Sequence, residues 1–152
     1  MEPITIHVGT HGLTASSTYA GGNISPKIEL TGVPKDVEYV ALIVHNKSGS
    51  EKSKCIWVIW NIPSVGYIPP GYEEGPAPKF PFPAMQGLND FGEHAWHGPS
   101  PGLGVQDRLL FQIFGRKERL ILSPDSKMND VIEALRDGNT LVYGNLEVSY
   151  QG

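Results

Sequence analysis

Two histidines stand three residues apart in His94-Ala95-Trp96-His97, with the carboxylates of Asp90 and Glu93 just before them. Imidazole nitrogens and carboxylate oxygens are common ligands of divalent metals, so this cluster is the first place to look for one. The spacing matches no recognised ligand set, and two loop histidines lining a groove need no metal, so no metal or cofactor is assigned. A hydrolytic triad can be drawn from His45, Asp107 and a hydroxyl such as Ser48. Nothing around Ser48 reads as the strand-to-helix elbow that exposes a nucleophile, so an enzyme is not expected. The single cysteine, Cys55, lies in the apolar run Cys55-Ile56-Trp57-Val58-Ile59-Trp60, where a thiol is expected to be buried and structural. No Gly-x-x-x-x-Gly-Lys-Ser/Thr loop is present to cradle a phosphate.

The elements that must position these groups are mostly strands. Ile4–Val8 alternates with β-branched residues, as a half-buried strand does. The apolar runs 38–44 and 56–62 predict central strands covered on both faces, and 109–115 and 140–150 predict two more. Between Pro63 and Gly104 most of the prolines collect, together with six Phe, Tyr and Trp residues. A loop of that length in a compact domain is usually functional, so it is expected to build part of any site. One helix is signalled: Ser123-Pro124-Asp125 offers a cap and a first-turn proline, Met128, Val131, Ile132 and Leu135 share a face, and Gly138 ends it.

Composition sets the frame for this pattern. The 152 residues include 18 Gly and 13 Pro, too many for a helical bundle and without the period of collagen. With 39% hydrophobic and 18% charged residues, the chain has apolar surface enough to fold as one domain, 1–152. A net charge of −4 with no basic run disfavours nucleic acid as a partner. No signal peptide is read at the N-terminus and no apolar run reaches the roughly 20 residues of a membrane span, so a cytoplasmic setting is expected. A turn-rich, all-β protein follows.

Five motifs in order carry a resemblance to a known family. They are Tyr19-Ala20-Gly21-Gly22-Asn23-Ile24-Ser25-Pro26 with Gly32-Val33-Pro34, Ala41-Leu42-Ile43-Val44, Trp57-Val58-Ile59-Trp60-Asn61-Ile62-Pro63, Gly87-Leu88-Asn89-Asp90-Phe91-Gly92, and Trp96-His97-Gly98-Pro99. From about residue 19 to 150 the chain resembles the phosphatidylethanolamine-binding proteins, especially their prokaryotic Raf-kinase-inhibitor-like branch. The resemblance implies a Greek-key β-sandwich with a few short peripheral helices. It also implies a small anion pocket near one end, which takes phosphate, acetate or a phospholipid head group. The activities it implies are binding and inhibition of kinases or serine proteases rather than catalysis, and pairing into a homodimer occurs among prokaryotic members.

The chain departs from that family at the pocket itself. The family's Asp-Pro-Asp-Ala-Pro loop is replaced by Asn46-Lys47-Ser48-Gly49-Ser50, its strand histidine by Ile56, and its Gly-x-His-Arg element by Val105-Gln106-Asp107-Arg108. Two donors to an anion are lost, and Asp107 puts a negative charge where the anion would sit. The expected remodelled pocket comprises Asn46, Ser48, Ile56, Trp96, Pro99 and Asp107, with His45 and His94 on its rim. The expectation is a binding or regulatory protein with a degenerate anion site. The alternative is a small-molecule binder that uses the altered pocket around Asp107.

Overall fold

The computed structural model describes residues 3–10, 12–47 and 53–151. Its strands are β1 (Thr5–Val8), β2 (Ile28–Thr31), β3 (Tyr39–Asn46), β4 (Lys54–Pro63), β5 (Tyr67–Ile68), β6 (Met85–Gln86), β7 (Gln106–Arg116) and β8 (Thr140–Gln151). A short helix, α1 (Met128–Ala134), precedes the last strand. All pairings are antiparallel. They form a three-stranded sheet ordered β1-β2-β5 and a five-stranded sheet ordered β6-β4-β3-β7-β8.

The continuous apolar runs of β3 and β4 are explained by burial on both faces. Val40, Leu42 and Val44 point inward with Trp57, Ile59 and Phe111, against Ile6, Ile28 and Ile68 of the smaller sheet. Ala41 and Ile43 point the other way with Val58 and Trp60, under Leu120 and the Val131–Leu135 face of α1. Each fully buried side chain of this size contributes about 1.5–3 kcal/mol. The five expected strands are all present, with ends shifted by a few residues. Strands β2, β5 and β6 were not anticipated: the last two contain only two residues each, too few to show a period.

The helix starts later than its sequence signals suggest. Ser123 caps a tight turn, its Oγ accepting from the Asp125 amide at 3.2 Å, and α1 begins only at Met128. There the Asp130 carboxylate accepts the Lys127 amide at 3.0 Å and fixes the first turn. Gly138 adopts φ 88°, the left-handed geometry expected after a helix end.

Candidate ligand site at one end of the sandwich

Asn46 ends β3 and Asp107 stands near the start of β7, so both lie at the same end of the larger sheet. Alternation places them on the inner face with Val44, Leu109 and Phe111. The Asn46 Nδ2 donates to Asp107 Oδ2 at 3.3 Å. Asp107 is only 7% exposed, and that long bond to a neutral amide is its one hydrogen bond among the described residues. A carboxylate can accept about four hydrogen bonds, so the described residues leave acceptor capacity unused on this buried group. Arg108 projects from the opposite face, 3.7 Å from Glu147, and the strand's alternation keeps it away from Asp107.

Ile56 is buried at 2% exposure and joins the inner core. It is the extra residue of a β-bulge, because Val44 pairs with Trp57 while His45 pairs with Cys55. The bulge frees its carbonyl, which accepts the His97 amide at 3.0 Å and so docks the Trp96–Pro99 loop on the sheet. Trp96 is buried edge-on to Trp57, with centroids 5.6 Å apart, and also packs on Phe111. Its indole donates to the Ser17 carbonyl at 2.9 Å. Pro99 is buried, and its carbonyl accepts the Tyr19 amide. Asn46, Ile56, Trp96 and Asp107 are thus gathered on the inner side of one end of the sandwich.

The other expected site residues lie elsewhere. His45 shares the outer face with Ile43 and Leu110, its Nε2 2.8 Å from Gln112 Oε1, so the sheet separates it from Asp107. A triad of His45 with Asp107 is therefore not assembled. His94 turns toward β6 and the loop before α1, with Nδ1 2.8 Å from the Gln86 carbonyl and Nε2 3.8 Å from Asp125. His97 instead meets Glu93 at 2.8 Å, so the two histidines do not share a ligand. Asp90 is occupied by the Cys55 amide at 2.7 Å. No group of three metal-ligating side chains forms among the described residues. Ser48 lies outside the described residues.

Several residues that hold the site together were not singled out from the sequence. Asn23, in the left-handed region at φ 56°, accepts the Gly98 amide at 2.7 Å and donates to the Trp96 carbonyl at 3.0 Å. Asn89 Oδ1 accepts the Phe91 and Glu93 amides while its Nδ2 donates to the Ala95 carbonyl, which curls the Asn89–Ala95 loop around one side chain. Gln86 is fully buried and accepts the Trp57 indole at 2.6 Å, with its amide nitrogen near the Glu73, Gly75 and His94 carbonyls. His97 is stacked between Phe91 at 3.7 Å and Tyr19 at 4.4 Å, two rings that are otherwise 44% and 50% exposed. Only the asparagines carried a usable signal: Asn23 follows Gly22 and Asn89 precedes Asp90, both in loops where φ above zero or Asx bonding is common.

A two-sheet antiparallel sandwich, with the loops that carry Asn23, Asn89 and Trp96 gathered against it, defines the class to which this chain belongs. It is a member of the phosphatidylethanolamine-binding protein family, whose model matches residues 5–151. A UPF0098 protein of Methanothermobacter thermautotrophicus is 36% identical over 126 residues, 82% of this chain and 80% of that protein. A UPF0098 protein of Pyrococcus horikoshii is 29% identical over 141 residues, 91% of this chain and 70% of that one. Among solved structures, Escherichia coli YbcL superposes with a TM-score of 0.75 at 23% identity, covering 99% of this chain and 98% of its own. A phosphatidylethanolamine-binding protein homologue from Chlamydia trachomatis gives 0.79 at 20% identity, covering 100% and 99%. These likenesses establish the sandwich fold. No helix among the described residues is long and apolar enough to cross a membrane.

Proposed function

We propose that this chain is a non-enzymatic binding protein whose end-of-sandwich site receives a cationic or hydrogen-bond-donating group in place of the family's anion. The observation that carries this reading is Asp107: a buried carboxylate with one neutral partner among the described residues attracts a donor and repels phosphate. Ile56 supports it, since an aliphatic side chain in the inner core supplies no donor to an anion. The leading role is docking to a protein partner, with a lysine or arginine side chain inserted toward Asp107. A serine protease or a kinase is the partner that family membership suggests, and such docking would act in the cytoplasm. The second reading, a small amine ligand, draws on the same carboxylate.

Calorimetry separates these readings. Ethylammonium is expected to bind saturably, and binding is expected to vanish in Asp107→Ala. Inorganic phosphate and glycerophosphoethanolamine are expected to show no dissociation constant in the low micromolar range; either one binding that tightly overturns the proposal. Stoichiometric inhibition of chymotrypsin-like or subtilisin-like proteases that persists in Asp107→Ala would place docking on another surface.

A further inference from the structure

At the opposite end of β3 and β4 a cavity of about 290 Å³ opens. Tyr39 begins β3 and Asn46 ends it, so this cavity lies about 23 Å from Asp107, at seven steps of roughly 3.3 Å. Its walls are Pro63, Pro78, Ala84 and Met85, and two cations reach it from loops remote in sequence, Lys79 and Arg119. The Arg119 Nε donates to the Tyr39 hydroxyl at 3.0 Å, and the guanidinium lies 5.1 Å from the centre of that ring. This leaves its two terminal nitrogens without a hydrogen-bond partner among the described residues. Neither cation has a described carboxylate within ion-pair distance, although the chain as a whole is acidic.

The polar groups nearby are already committed. The Asn61 side chain spends both ends on Leu120, donating to its carbonyl at 2.9 Å and accepting its amide at 2.8 Å. The Lys79 and Phe80 amides are held by the Glu73 carboxylate, which orders the loop that brings Lys79 in. Proline walls add no N–H donor. The cavity therefore offers a flat apolar surface, a planar guanidinium and a second positive charge.

We propose that this cavity is a binding site for a small carboxylate with an apolar body, such as an aryl or short branched acid. The guanidinium takes the carboxylate in two parallel hydrogen bonds, Lys79 adds charge, and the ring or alkyl part lies on the prolines and Met85. The volume falls at the lower edge of the roughly 300–1,000 Å³ typical of ligand pockets, which suits a single-ring acid better than a peptide chain. The site is independent of Asp107 and of the function proposed above.

The test is an amide-resolved NMR titration of the full chain with benzoate, benzamide and a short peptide ending in a free carboxylate. Benzoate is expected to shift the Tyr39, Ala84 and Met85 amides saturably, and benzamide to bind about tenfold more weakly, the size of one lost charge-assisted contact. Arg119→Ala and Lys79→Ala are each expected to weaken benzoate, and Arg119→Lys to recover only part of the loss. Asp107→Asn should leave benzoate binding unchanged. Equal binding of benzoate and benzamide, no effect of either cation's removal, or tighter binding of the peptide would each overturn the proposal.

Discussion

Asn23 and Gly98 are 75 residues apart in sequence, yet the Gly98 amide donates to Asn23 Oδ1 at 2.7 Å. The bond requires glycine on one side: a Cβ at position 98 would sit 2.0 Å from the Ser17 carbonyl oxygen. It also requires asparagine on the other, because the Asn23 backbone is left-handed and its side chain must both donate and accept. Two of the family motifs therefore occur together because they form one clasp.

Gly98→Ala is expected to destabilise the fold by at least about 1–3 kcal/mol, since the clashing atom is backbone and cannot swing aside. A fall in Tm of about 2–4 °C per kcal/mol should follow in a chain of this size. Asn23→Ala should cost about 1–3 kcal/mol by leaving the buried Gly98 amide unpaired. Thermal melts of both variants check this.

Placing imidazoles in the proposed site is expected to create phosphate binding. Ile56→His combined with Asp107→His places two imidazoles at the family's histidine positions and removes the repelling carboxylate. Inorganic phosphate is expected to bind this double variant and not the parent, as read by calorimetry at pH 6, where imidazole is largely protonated.

Gln86 is a polar bolt inside an apolar core. Gln86→Ala strands the Trp57 indole and several carbonyls, and the expected loss is about 2–4 kcal/mol. Adding Trp57→Phe removes the stranded donor, so the double variant should lose less than the sum of the two singles, which a double-mutant cycle measures.

Arg116 is 1% exposed and is gripped by Asp137 through two parallel bonds of 2.9 and 2.7 Å. The hydrogen bonds from Arg116, with a further one from the Asn139 backbone, hold the Asp137 carboxyl well below the usual carboxylate range. A carboxyl whose pKa is depressed by folding binds a proton more readily in the unfolded chain. The pair thus stabilises fully above the ordinary Asp value of about 3.9, and the contribution fades as pH falls from there toward the depressed folded value. Between pH 5 and pH 2 the Tm of the parent should fall more steeply than that of Asp137→Asn, which should be the less stable of the two at pH 7.

Cys55 should be silent toward thiol reagents in the native state. Burial is the main cause that raises its thiol to about 12, and the nearby Asp90 charge adds to it. A disulfide reagent at pH 8 is expected to label it only at the rate of unfolding, with rapid labelling in denaturant.

The fold was legible because its central strands are long, continuous apolar runs bounded by turn residues. The 38–44 and 56–62 runs read as doubly covered strands, and they are. The same sequence said less about which way single polar residues point. Whether His45 faces Asp107 depends on the register of β3 with β7, a pairing between strands about 60 residues apart that neither strand's own pattern states. His94 and His97 looked like a pair because they are close in sequence. They diverge because Asn89 curls the loop before them, a bond that no spacing rule records.

The bulged carbonyl of Ile56 and the neighbouring Cys55 and Val58 carbonyls hold the loops through the amides of His97, Asp90 and Gly87. Main-chain atoms are the same whatever side chain stands on them. The shape of this end of the molecule and its chemical preference are therefore under separate control. A lineage can exchange histidine for isoleucine or aspartate at the floor of the site while the walls keep their place. Selectivity is free to drift on a scaffold that does not register the change.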